Sequence, residues 1–176
     1  MKKAVILFVL ILAATTGCSR QQQEKKGQAG YPAGPAIISP EEIRMLDQTA
    51  RQSPKNANAW IALGNALMDS NRAGEAADAY EKALALDPKN VDVRVDRGTC
   101  LRSAGRPQQA VEEYRKAMQI NPYHAFAHRN MAVVLAFDLH DKKAGVKEFE
   151  KYLELAPNAP DADEIRKTVV SLKSGR

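Results

Sequence analysis

The sequence predicts an all-α solenoid: three helix pairs stacked side by side, with one flanking helix at each end. Two observations carry this. Prolines recur at Pro54, Pro88 and Pro122, 34 residues apart. Gly64 and Gly98, Leu67, Leu101 and Leu135, Ala76 and Ala110, Tyr80 and Tyr114, and Ala83 and Ala117 keep that interval. A fixed period of this length marks helical units that each bury an apolar face against the next. Second, Trp60, Leu63 and Leu67 fall at i, i+3 and i+7, one apolar stripe along a helix.

The chain divides into 1–17, a signal peptide; 18–38, a cysteine and a linker; and 39–176, the folded domain. Lys2 and Lys3 precede a 13-residue uncharged run, Ala4 to Thr16, shorter than the ~20 residues that span a bilayer. The run ends in Ala14-Thr15-Thr16-Gly17-Cys18, which resembles the bacterial lipobox apart from Thr15, where Leu is usual. That resemblance implies cleavage before Cys18 and lipidation of its thiol. Ser19, in the likeness to enteric-type lipoproteins, implies an outer-membrane lipoprotein of the bacterial cell envelope facing the periplasm. Residues 19–38 are rich in Gln, Gly and Pro and lack apolar periodicity, so they read as a disordered tether. Its full reach is roughly 65 Å and its coil span about 25 Å.

Ser39-Pro40-Glu41-Glu42 is a capping box with proline at the first helical position. It starts a helix over 40–52 that ends before Pro54. The 57–90 unit then carries Trp60, Leu63, Gly64, Leu67, Ala76, Tyr80, Ala83 and Pro88. Gly64 and Ala76 are small where two helices approach, and Pro88 biases Asp87 away from helical geometry. In type and offset these residues resemble the tetratricopeptide repeat (TPR), and the chain is identified as a TPR lipoprotein of the bacterial envelope. The resemblance covers about 39–173 and implies a TPR solenoid.

The 91–124 unit keeps Gly98, Leu101, Ala110, Tyr114, Ala117 and Pro122. Arg94 stands where Trp60 stood and Arg97 replaces Leu63, so each must lay its stem on apolar surface. Arg97→Leu should stabilise if Arg97 is an imperfect core substitute, and destabilise if it anchors a buried ion pair. In the 125–158 unit Ala132 replaces Gly, and Phe149 and Pro157 fall one residue late. One residue is therefore inserted after Leu135, and the turn near 138–142 is the expected place. A terminal helix over about 160–173, through Ile165, Val169 and Leu172, closes the array.

The net charge is +5, but residues 39–176 carry 21 basic and 20 acidic residues. No basic stripe is left for nucleic acid. Cys100, inside a helix, reads as a small buried apolar residue. His124 and His128 have metal-ligand spacing, yet zinc would need a further protein ligand, so they are expected to be structural, with no metal. Glu112-Glu113 reads as a solvated helix face. There is no phosphate loop, nucleophile elbow or haem-attachment motif. The protein is not expected to be an enzyme or to hold a cofactor.

In TPR proteins the first helix of each pair lines the concave face. The resemblance thus implies a groove of Asn58, Ile61, Asn65, Met68 and Asp69; Asp92, Val95, Thr99, Arg102 and Ser103; Phe126, Arg129, Val133 and Phe137. Phe126 and Phe137 would anchor apolar side chains, or else pack against the terminal helix, and Arg129 would meet a carboxylate. The clamp of chaperone-tail-binding TPR domains is not reproduced, since only Asn65 matches it. The implied function is a lipid-anchored scaffold that binds a partner peptide or helix during envelope assembly, of the pilus, secretin or outer-membrane type. Two alternatives are a periplasmic module holding unfolded clients such as apocytochrome c, and a structural or self-associating spacer.

Overall fold

A computed structural model describes residues 38–174. The expected signal peptide, Cys18 and all of the linker but its last residue lie outside them. The described residues form eight α-helices and no strand: α1 Pro40–Gln52, α2 Ala57–Asp69, α3 Ala73–Leu86, α4 Val91–Ser103, α5 Pro107–Ile120, α6 Ala125–Val133, α7 Lys142–Leu155 and α8 Ala162–Ser174. Each helix packs on its neighbour in sequence, and the first helices of the second and third pairs, α4 and α6, also touch. The fold is the expected all-α TPR solenoid.

The starts of the helices follow from their caps. Ser39 Oγ accepts from Glu42 N–H at 3.1 Å. Asn56 and Asn90 cap α2 and α4 through their side-chain oxygens, accepting from Asn58 and Val93 N–H. His124 does the same for α6 through Nδ1, from Ala127 N–H at 3.1 Å. These three caps sit at one repeat position. Each tight turn inside a pair has one left-handed residue, at Asn71 (φ 58°), Gly105 (φ 74°) and His140 (φ 59°).

Within each pair the helices meet over a residue with almost no side chain. A Cβ on Gly64 would lie 2.6 Å from the Tyr80 ring, and one on Gly98 would lie 2.6 Å from the Tyr114 ring. Both tyrosines are fully buried. In the third pair the arrangement is exchanged. Ala132 replaces glycine on the first helix, and Gly145 stands on the second where Ala76 and Ala110 stood. A Cβ on Gly145 would lie 2.6 Å from Ala136 Cβ.

The inserted residue falls earlier than the turn where it was expected. Ser70 N–H donates to Ala66 O and Ala104 N–H to Cys100 O, but Leu139 N–H donates to Val134 O, one residue wider. Residues Val134–Asp138 therefore form a π-helical segment that ends the first helix of the third pair. A π-bulge absorbs an extra residue while the backbone stays hydrogen-bonded.

The substitutions at the Trp60 position are matched by their surroundings. Trp60 Nε1, Arg94 Nη2 and His128 Nε2 each approach the carbonyl of the proline six residues earlier, at 3.1, 2.7 and 3.0 Å. Lys82 lies 4.3 Å from the centre of the Trp60 ring. Arg94 instead pairs with Glu113 at 2.9 Å, and His128 Nδ1 sits 2.6 Å from Glu148. Glu113 and Glu148 occupy the place of Ala79, so an apolar contact has become a polar one twice.

Glu113 is not on a solvated face. It is 3% exposed and pairs with Arg94, Arg97 and Lys116, each at 2.9 Å. Burial pushes its carboxyl up, but the bond from Lys116 and the Arg97 charge outweigh this and hold it below its usual range. Arg97 is thus an anchor of a buried ion cluster and not a poor leucine.

Thermal and urea melts of four variants test this packing. Gly64→Ala should destabilise by about 1–3 kcal/mol because the Tyr80 ring has nowhere to go. Gly74→Ala, with nothing within 4 Å of the new Cβ, should be neutral or gain up to about 1 kcal/mol. Glu113→Ala leaves two half-buried arginines without their shared carboxylate, with only Glu81 near Arg97, and should cost about 3–5 kcal/mol. Arg97→Leu should destabilise by less, since Glu113 keeps Arg94 and Lys116.

Candidate functional site

The face made by α2, α4, α6 and the π segment carries the expected groove residues, but their surroundings divide them. Asn58, Asn65, Asp69, Asp92, Arg102, Ser103, Phe126 and Phe137 are exposed. Ile61, Met68, Thr99, Arg129 and Val133 are half-buried. Val95 is 5% exposed and belongs to the main core, so it forms a floor and not a wall.

Beneath the face, the second helices satisfy the polar positions of the first. Tyr80 donates to Asn65 Oδ1 at 2.7 Å. Tyr114 and Thr99 share a hydrogen bond of 3.2 Å, and Asn130 donates to Thr99 at 3.3 Å. At the equivalent place in the third pair Phe149 has lost the hydroxyl and Val133 the acceptor. A buried hydroxyl needs a partner, and here both members of the pair disappear together. Asn65 and Thr99 therefore hold the fold as well as face outward.

The two arginines of the face are engaged from within. Arg102 Nε donates to Asp138 at 2.5 Å, across from α4 to the π segment. Arg129 Nε donates to Asp161, just before α8, at 2.5 Å. Arg129, expected to meet a ligand carboxylate, here meets the protein's own. Asp161 also accepts from the Tyr152 hydroxyl. That bond, and then Arg129, hold the Asp161 carboxyl below its usual range against burial.

The acidic residues of the face are not neutralised in this way. Asp69 makes no ion pair within 4.0 Å among the described residues, and Asp96 makes neither an ion pair nor a hydrogen bond there. Asp92 meets His124 Nε2 at 2.9 Å. Because His124 Nδ1 already accepts from the backbone, Nε2 must carry the hydrogen and donate it to Asp92. That contact is complete with a neutral ring. The Asp96 carboxyl is pushed above its ordinary range by burial first and then by the nearby Asp92 charge, which His124 partly offsets.

These residues meet at one place. A cleft of about 200 Å³ between α4 and α6 is lined by Asp92, Val95, Asp96, His124, Phe126 and Asn130. Phe126, 61% exposed, forms one wall, with the His124 ring set edge-on at 6.5 Å. Phe137 is not part of it. It borders a separate hollow against Thr168, Ser171 and Leu172 of α8. Asp96 and Asn130 were not among the expected groove residues. The signal that could have found them is their shared repeat offset, four residues after Asp92 and Phe126.

The remaining candidates are engaged in packing and capping. Cys100 is buried, and burial followed by the Asp96 charge pushes its thiol up to about 11. His124 and His128 serve as a cap and a core contact. Among the described residues no three His, Cys, Asp or Glu side chains group as metal ligands do.

A carboxyl whose folded-state pKa is raised loses stability as pH rises through that value. Asp96→Asn should therefore raise the melting temperature at about pH 7, and the gain should vanish by about pH 3, where the native carboxyl is itself neutral. Circular dichroism melts at both pH values test this.

Known proteins agree with the architecture. Residues 41–163 match the family described as Cytochrome c-type biogenesis protein H TPR domain. Comparison with curated proteins finds no match. Among solved structures, MamA superposes with a TM-score of 0.65 at 18% identity, over 74% of this chain and 82% of MamA. YrrB, a TPR protein with an unusual peptide-binding site, gives 0.66 at 21% identity, over 72% of this chain and 65% of YrrB. The Sgt2 TPR domain from Aspergillus fumigatus gives 0.61 at 24% identity, over 68% of this chain and 78% of that domain. At such identities the likeness is one of fold alone.

Proposed function

We propose a function for this chain from two premises: it belongs to the cytochrome c-type biogenesis protein H TPR-domain family, and its first-helix face carries an aromatic, acidic cleft. The protein is a scaffold that holds a segment of a partner protein on this face. The observation that carries this is Phe126, a large apolar ring left 61% exposed beside a half-buried carboxylate that has no hydrogen-bond partner among the described residues. An aromatic wall beside satisfied amides and hydroxyls suits an extended peptide backbone. The peptide-binding site described for YrrB, a structural neighbour, supports the same use of the fold.

The rest of the function is positional. Cys18, lipidated, would hold the domain in the periplasm beside the outer membrane, and the tether would let it search a shallow layer. A partner fixed in that layer is then met at high effective concentration, so modest affinity suffices. Assembly of an envelope structure of the pilus, secretin or outer-membrane type fits such a device. A second reading, favoured by the family's description, is a module that holds unfolded clients such as apocytochrome c.

A photo-crosslinker placed at Phe126 in intact envelopes tests the proposal. The expected outcome is a discrete crosslinked partner that is lost or much reduced with Cys18→Ser. Crosslinks to no protein from this position, with the chain folded and anchored, would refute binding on this face. Crosslinks chiefly to cytochrome precursors, unaffected by Cys18→Ser, would decide for the second reading.

A further inference from the structure

Resting on that reading of the face, we propose that the cleft between α4 and α6 selects a cationic side chain, lysine or arginine, on the partner segment it binds. Asp92 and Asp96 take the charged head and the Phe126 ring covers the aliphatic stem.

The inference begins with the exposed ring and asks what would cover it. An apolar side chain alone would satisfy Phe126 but would seal Asp96, already half-buried, away from water without a partner. Burying an unpaired carboxylate is costly. An anionic group would meet two carboxylates. A cation on a long apolar stem satisfies both surfaces of the cleft at once, since ammonium and guanidinium groups also favour the face of an aromatic ring.

The charges near the cleft decide in the same direction. The N-termini of α4 and α6 both open here, and each contributes roughly half a positive charge. Two full carboxylate charges exceed that sum, and the caps Asn90 and His124 have already consumed backbone N–H groups. His124 gives Asp92 a hydrogen bond from a ring that needs no charge to make it. The arginines that could have neutralised the cleft, Arg102 and Arg129, are paired with Asp138 and Asp161. Although the whole chain carries +5, this part of its surface is anionic. At about 200 Å³ the cleft holds one long side chain and not a folded element.

The test uses the full chain in detergent, immobilised and presented with a random peptide library, followed by labelled copies of the selected peptides. Lysine or arginine next to an apolar residue should be enriched. Changing that lysine to glutamine should weaken binding about tenfold, with the loss shrinking at high salt. In the Asp92→Asn/Asp96→Asn double variant, shown by its melt to be folded, native and glutamine peptides should bind alike. Phe126→Ala should weaken both. Selected peptides with no basic preference, or with an acidic one, would overturn the cationic pocket while leaving peptide binding standing. A double variant that still discriminates lysine from glutamine would overturn the assignment to Asp92 and Asp96. Retention of no peptide by the folded native chain would overturn both the pocket and the peptide-binding face beneath it.

Discussion

The close approach of two helices within each pair is the constraint on which the rest of the molecule depends. It requires one position with almost no side chain, filled by Gly64, Gly98 or Gly145, and in the first two pairs a tyrosine ring lying against it. That ring cannot leave, so its hydroxyl emerges at one fixed point under the first helix. Asn65 and Thr99 are there to receive it. The polarity of the inner face is in part a consequence of packing: where the aromatic loses its hydroxyl, at Phe149, the residue above it becomes valine. A face that looks chosen for ligands is first a face that satisfies its own core.

The second pair shows how a repeat tolerates charge in its interior. Trp60, Arg94 and His128 differ in size, charge and shape, yet each reaches the same proline carbonyl. The backbone bond defines the position, and the remaining surface of the side chain is met by the adjoining second helix. Two half-buried arginines around one buried glutamate are no more stabilising than good apolar packing would be. Their consequence is dependence on one group, since removing Glu113 alone takes the shared carboxylate from both arginines.

Helix order, pairing and flanking helices were legible because a 34-residue period reports packing directly. Gly64, Leu67, Tyr80 and Ala83 could hardly share offsets with the next unit for any other reason. The burial of Glu113 was not legible from its own neighbourhood, where Glu112, Arg115 and Lys116 make an ordinary charged surface. The clue lay 16 and 19 residues away: Arg97 and Arg94, placed on a packing stripe, require a counter-charge somewhere in the interior. The groove was legible as a set of positions but not as a set of available groups. Whether Arg102 and Arg129 can meet a ligand depends on Asp138 and Asp161, whose approach no local pattern announces.

Asp138 reaches Arg102 because of the inserted residue. Without it the first helix of the third pair would end in α-geometry, and each side chain of its last turn would lie about 100° from where a wider turn puts it. The π segment keeps Leu135 in the core, presents Phe137 toward α8 and directs Asp138 to α4. An addition of one residue thus binds two neighbouring pairs together and withdraws a positive charge from the inner face. Arg129 is withdrawn by Asp161 from the other side. A nearly neutral domain can in this way display an anionic cleft: its cations are spent on holding helices together, while Asp92 and Asp96 remain facing outward.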